Sequence, residues 1–329
     1  MSIDETTLPI PAQSIPAPQS VSPQARAYLS AAAKKLSERG ASNNAIDAVD
    51  ELVNSEAGAI QFLRPLAMRF KGSFESIALP NGTALYRAIP EGRTGRATEV
   101  AYFDIHGGGF LVGGGEMCQL LAKLRASEFG TEVFSVDYRL LPDHPFPAGL
   151  DDCMAAYREV LRRYSASTLV VGGSSAGGTL AAALMLRARD EGLPLPLALL
   201  LLTPALDMTL SSDSFQTNRF LDVNLHSVGE DALRRYAANT DPTHPYVSPL
   251  LGDFTKGWPP TILTTGTRDL LLSDTVRMHR ALRRAGVRAE LHVSEASPHG
   301  GFMGAGAPED MEIVAECRRF IYSAWGIEP

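Results

Sequence analysis

The stretch Leu169-Val170-Val171-Gly172-Gly173-Ser174-Ser175-Ala176-Gly177-Gly178 passes from a β-rich apolar run directly into a helix of small residues. A serine with a glycine two residues to either side, G-x-S-x-G, in that context needs a very tight strand-to-helix turn. The serine then takes a strained backbone conformation, and side chains at the glycine positions would collide. Ser175 is thereby presented at a helix N-terminus, whose amides favour developing negative charge. The competing reading is a phosphate-binding loop or a plain turn. The G-x-G-x-x-G register is missing, however, and no G-K-S/T occurs in the chain.

On either side of this turn the chain alternates β-rich runs with helical stretches. Candidate strands cover residues 74–79, 84–89, 99–106, 132–139, 168–172, 197–203, 261–265 and 289–294, and candidate helices 117–129, 151–164, 176–190, 275–285 and 311–322. Pro80-Asn81-Gly82 joins the first two strands as a hairpin. The later strands are separated by helices, the crossovers that parallel pairing requires. Leu197 to Leu202 is apolar throughout, as suits a strand covered on both faces. The expected fold is α/β, an eight-stranded, mostly parallel sheet flanked by helices. Two amphipathic helices precede it, after a lead-in with five prolines in 23 residues, and residues 207–257 interrupt the rhythm as a lid candidate holding a helical stretch near 231–238.

A second glycine-rich loop, His106-Gly107-Gly108-Gly109-Phe110, follows the strand ending at Ile105. Three successive glycines are costly in conformational entropy, so a use for bare amides is the natural explanation. Two of those amides with that of Ala176 would hold an oxyanion, each donor contributing roughly 3 to 4 kcal/mol to the transition state. The serine also needs a base, and the base a carboxylate. Asp269 follows the run 261–265, and His299 follows the last strand. The order Ser175, Asp269, His299 is the one that α/β-hydrolase architecture demands. Asp274, Asp207 and Asp151-Asp152 are weaker carboxylate candidates, read as helix-start or strand-end residues. His106 reads as a loop-fixing hydrogen bonder and His292 as a strand side chain. His144, His226, His244 and His279 are isolated and read as structural.

Thirty lysines and arginines against 37 aspartates and glutamates leave a net charge of −7, which disfavours nucleic acid and anionic membrane as partners. Cys118, Cys153 and Cys317 have no metal-binding spacing, and the triad chemistry needs neither metal nor organic cofactor. An acidic N-terminus without an apolar core argues against a signal peptide, and no run approaches a membrane span, so a cytoplasmic location is the expectation.

Together the HGGG loop, the serine elbow, Asp137-Tyr138-Arg139-Leu140, Pro145-Phe146-Pro147-Ala148, Ser248-Pro249-Leu250 and the Asp269 region resemble the hormone-sensitive-lipase-like (bacterial family IV) carboxylesterases of the α/β-hydrolase superfamily. The resemblance runs from about residue 74 to 322. It implies a serine esterase of short- to medium-chain esters with Ser175 as nucleophile, His299 as general acid/base and Asp269 as its orienter. It implies Gly108, Gly109 and Ala176 as oxyanion donors. It divides the chain into cap segments at 1–72 and 207–257 and a catalytic core at 73–206 and 258–329, and it implies pairing of two copies through an edge strand. Three departures stand out: Ser174 where the elbow usually carries an acid, a second glycine in His299-Gly300-Gly301-Phe302, and Asp274 five residues after Asp269 instead of four. Lactone hydrolysis, by similarity of residues 267–274 to monoterpene lactone hydrolases, and amide deacylation are alternatives within the group. A non-catalytic small-molecule receptor is the alternative outside it, and retention of His299 argues against that.

Overall fold

The computed structural model describes residues 14–39, 45–225 and 234–328. After two helices, α1 (Pro23–Arg39) and α2 (Ala45–Ala67), all eight expected strands form: β1 (Gly72–Ala78), β2 (Ala84–Pro90), β3 (Ala101–Ile105), β4 (Glu132–Asp137), β5 (Leu169–Ser174), β6 (Ala198–Leu202), β7 (Thr261–Gly266) and β8 (Ala289–Ser294). They make one sheet in the order β1-β2-β4-β3-β5-β6-β7-β8. The pairs β1–β2 and β2–β4 are antiparallel and every other pair is parallel. Parallel pairing sends the carboxyl ends of β3, β5, β7 and β8 to one edge, where ligand sites of open α/β sheets lie.

Alternation along the strands divides the core in two. Phe103, Ile105, Val171, Leu199, Leu201 and Leu263 face α4 (Ala148–Leu161), α5 (Ala176–Asp190) and α7 (Leu272–Arg284). Tyr102, Val170, Ala198, Leu200 and Ile262 face α3 (Glu116–Phe129) and α8 (Pro308–Trp325). Burial on both faces explains why the 197–202 run does not alternate. A third, small cluster joins Val21, Ala25 and Leu29 to Ala296, Phe302 and Ala307, so α1 packs on the chain that follows β8.

The segment between β6 and β7 contains a helix that its polar sequence does not announce, α6 (Ser214–Thr217). Its polar start is satisfied by partners distant in sequence: Ser214 Oγ donates to Leu270 O (2.7 Å) and accepts from Ser273 N (2.9 Å). Of the helical stretch expected near 231–238, residues 234–237 are helical, while 226–233 and residues 1–13 of the lead-in lie outside the described residues. Among the described residues no helix is long and apolar enough to cross a membrane.

Candidate active site

Ser175 occupies the turn between β5 and α5 with φ 53° and ψ −119°, a conformation that costs a non-glycine residue on the order of 1–3 kcal/mol. Its N–H is tied to Leu202 O at 2.9 Å. The flanking glycines are required by contact with backbone. A Cβ on Gly173 would lie 2.1 Å from Gly177 O, and one on Gly177 would lie 2.1 Å from Ile105 O. The elbow is therefore wedged against the end of β3 and cannot relax outward.

From this position Ser175 Oγ lies 2.9 Å from His299 Nε2, and His299 Nδ1 lies 3.1 Å from Asp269 Oδ1. Both His299 and Asp269 are buried, and Ser175 is half-buried. Asp269 is held by Leu271 N on Oδ1 (2.9 Å) and by the Thr265 hydroxyl on Oδ2 (2.8 Å). Burial opposes charge on His299, but the Asp269 carboxylate, and after it that of Asp222, outweigh burial and raise the imidazole above the ordinary histidine value.

The glycine-rich loop lies directly across from the serine: a Cβ on Gly107 would stand 2.9 Å from Ser174 O and 3.3 Å from Ser175 Cβ. Gly108 and Gly109 both have positive φ, 110° and 60°, and a Cβ on Gly108 would come within 2.2 Å of Val112 O. Ala176 opens α5, so its N–H has no carbonyl within the helix. His106 braces the loop. It stacks on Tyr138 with centroids 4.2 Å apart, its Nδ1 meets Gly107 O at 2.7 Å, and burial pushes its pKa down to about 4.

Residues 102–303 match the model of a family described as alpha/beta hydrolase fold. The chain belongs to that family. Within it the likeness is to esterases of the hormone-sensitive lipase group. A solved structure of an esterase, E25, superposes with a TM-score of 0.87 at 33% identity, covering 97% of this chain and 99% of that one. An esterase from the bacterial hormone-sensitive lipase family gives 0.78 at 27% identity, covering 93% and 100%. An acetyl-hydrolase of Streptomyces hygroscopicus is 33% identical over 184 residues, 55% of this chain and 61% of that protein, so the match spans less than two thirds of its length.

Two of the departures from the hydrolase-family pattern meet in one place. Ser174 and Gly301 both line a cavity of about 240 Å³ beneath the histidine loop, together with Thr203, Thr264 and Ser297. Gly301 has φ 85°, and a Cβ there would lie 2.5 Å from Asp310 Oδ1. The bare glycine thus lets the Asp310 carboxylate accept from Phe302 N at 3.1 Å. The third departure, Asp274, is buried and turned away from His299. It accepts from Leu206 N (2.8 Å), Asp207 N (3.0 Å) and the Ser212 hydroxyl, and burial pushes it up to about 6.

The weaker carboxylate candidates have other partners. Asp207 pairs with Arg277 at 2.6 Å, Asp151 with Arg187 at 2.5 Å, and Asp152 with Arg139 at 2.9 Å. His292 lies on β8, 3.9 Å from Glu290, His244 packs against Tyr246, and His226 lies outside the described residues. Two sets of potential metal donors fall within 4.8 Å among the described residues: Asp222, Asp269 and His299, and His106, Cys118 and Asp137. The carboxylates of both sets already accept protein hydrogen bonds, Asp137 from the Tyr86 hydroxyl and Gly115 N (both 2.9 Å).

One residue at the site went unnoticed in the sequence. Asp222 is fully buried beside both Asp269 and His299, and burial followed by the charge of Asp269 pushes its carboxyl upward, against the pull of His299. Its only local mark is an Asp-Val-Asn turn, in which Asn224 N and Leu225 N donate to Oδ1 at 2.9 and 3.0 Å.

Proposed function

We propose that this chain is a serine carboxylesterase that hydrolyses short- to medium-chain esters. The observation that carries the reading is the continuous chain of contacts from Ser175 Oγ through His299 to the buried Asp269, at 2.9 and 3.1 Å. His299 Nε2 takes the Ser175 proton as Oγ attacks the acyl carbon. The oxyanion that forms is met by the N–H groups of Gly108, Gly109 and Ala176. His299 then gives its proton to the departing alcohol, leaving an ester on Ser175. Water, giving a proton to the same nitrogen, attacks that ester, and His299 returns the proton to Ser175 Oγ as the bond to the acyl carbon breaks and the acid leaves.

The preference for shorter acyl groups is supported by the acetyl-hydrolase among the relatives. We assign residues 1–72 and 207–257 to a cap over the acyl site, with 73–206 and 258–329 as the catalytic core. This division is supported by the packing of α1 on the chain after β8 and by Tyr28 Oη donating to Asn224 Oδ1 at 2.6 Å, which links the two cap segments. A receptor would have no use for an imidazole at hydrogen-bonding distance from a strained serine.

The test is turnover of p-nitrophenyl acetate together with labelling by a diethyl phosphoryl organophosphate. The wild-type chain turns over the ester and gains one phosphoryl group on Ser175. Folded Ser175→Ala does neither. Turnover by folded Ser175→Ala near the wild-type rate would overturn the reading.

A further inference from the structure

The loop that carries His299 has little to stiffen it from within: Gly300, Gly301, Met303 and Gly304 all have positive φ. Asp310 holds Phe302 N at its far end, and the grip on His299 itself comes from the segment between β6 and β7. Asp222 Oδ2 accepts from Leu270 N at 2.8 Å, 48 residues away and adjacent to Asp269. Both Asp222 oxygens lie 3.3 Å from the N–H of His299 itself, 77 residues away. One carboxylate thus spans the acid loop and the histidine loop. Two residues on, Asn224 Nδ2 donates to His299 O at 2.8 Å and to Gly301 O at 2.9 Å. The amide and the carbonyl of the same histidine are therefore both held from residues 222–224. The grip is anchored in turn by Tyr28 on α1, whose hydroxyl meets Asn224 Oδ1 and whose ring stands edge-on to Phe302 at 6.0 Å.

We propose that Asp222 and Asn224 are positioning residues of the esterase, holding the histidine and acid loops in register with Ser175, with Asp222 supplying a second carboxylate beside His299. This rests on the serine-esterase reading above. The chemistry of the donors explains why position 222 carries an acid. Among the described residues, every group on its two oxygens is a backbone N–H, from Leu270, His299, Asn224 and Leu225. Only an ionised carboxylate offers acceptors at both oxygens, whereas an amide would turn an NH₂ toward one of those donors. Among the described residues the charged and titratable groups facing the pair are few. His299 faces Asp269 and Asp222, Asp222 faces His299 and Asp269, and Tyr28 and Asp310 stand behind them through Asn224 and Phe302.

The experiment compares wild type, Asp222→Asn and Asn224→Ala in the full chain, with rates normalised to active sites by organophosphate titration and folding checked by thermal melting. Misplacing a reacting group costs rate far more than binding, so each variant loses roughly tenfold in kcat with KM nearly unchanged. Removing the Asp222 charge also lowers the His299 pKa, so the acidic limb of Asp222→Asn moves to lower pH by about half a unit, while that of Asn224→Ala stays in place. An unmoved limb in folded Asp222→Asn, or wild-type kcat in folded Asn224→Ala, overturns the proposal. If Asp222→Asn does not fold, Asn224→Ala decides alone, by its kcat. Silence of Ser175→Ala with wild-type behaviour of both variants refutes the positioning role only, whereas turnover by Ser175→Ala refutes the reading beneath it.

Discussion

His299 Nδ1 and Asp269 Oδ1 meet at 3.1 Å in a pocket where neither side chain is exposed. Burial alone would keep the imidazole neutral, and the carboxylates reverse that. In the proposed mechanism His299 must be neutral to accept the Ser175 proton, so activity is expected to fall as pH drops through a His299 pKa raised above the ordinary 6.5. A kcat/KM profile for a p-nitrophenyl ester is expected to have its acidic half-point above pH 6.5. A profile flat from pH 5 to 8 would contradict the assignment.

Asp269→Asn keeps the shape of the contact and removes its charge. The amide no longer favours the tautomer with the proton on Nδ1 or stabilises the imidazolium, so kcat is expected to fall roughly 10⁴-fold. With the NH₂ turned toward Nδ1, the amide oxygen stays on the Thr265 hydroxyl and Leu271 N loses its acceptor, a cost of about 1–3 kcal/mol, so the melting temperature is expected to fall by only a few degrees. Steady-state kinetics beside calorimetry tests both halves.

Gly173 and Gly58 make a matched pair. A methyl at Gly173 meets the Gly177 carbonyl oxygen at 2.1 Å, backbone against backbone, and the elbow has no room to yield. Gly173→Ala is expected to cost more than the roughly 1–3 kcal/mol of ordinary overpacking and to abolish activity. Gly58, inside α2, would meet nothing within 4 Å, so Gly58→Ala is expected to stabilise by about 0.5–1 kcal/mol. Urea unfolding of the two variants measures the contrast.

Asp274 is raised in the folded chain to about 6 from an ordinary 3.8. A group raised by folding contributes stability that is full below its unfolded value and is lost as pH rises through the folded one. Asn fits the same site, its oxygen taking Leu206 N and Asp207 N and its NH₂ meeting the Ser212 hydroxyl. Asp274→Asn is therefore expected to match wild type near pH 4 and to exceed it increasingly toward pH 7, by on the order of 3 kcal/mol. Urea midpoints at the two pH values check the sign, and a constant difference would refute it.

Much of this molecule is legible in the order of its residues, because the signals are local. A strand followed by Gly173-Ser174-Ser175-Ala176-Gly177 and a helix has few ways to fold, and the apolar run 197–202 declares burial on both faces. β-rich runs and helical patterns place all eight strands, the four crossover helices between them and the helix after β8 to within a few residues. The positions of Asp269 and His299, each just past a strand, follow from the same pattern. Asp222 is the contrary case. In sequence it is an aspartate starting a turn, which is what its contacts with Asn224 and Leu225 make it locally. Its bonds to Leu270 and His299 cross 48 and 77 residues, and no periodicity reaches so far. Helix α6 is similar: its Ser214 hydroxyl is held by Leu270 O and Ser273 N, partners 56 and 59 residues away. Backbone propensity and hydrophobic period, which act over a few residues, thus determined the sheet, the elbow and the candidate triad. Only tertiary packing decided that a second carboxylate, Asp222, joins Asp269 beside His299 and holds the two loops together, because buried polar groups take whatever partner the folded chain brings within hydrogen-bonding distance.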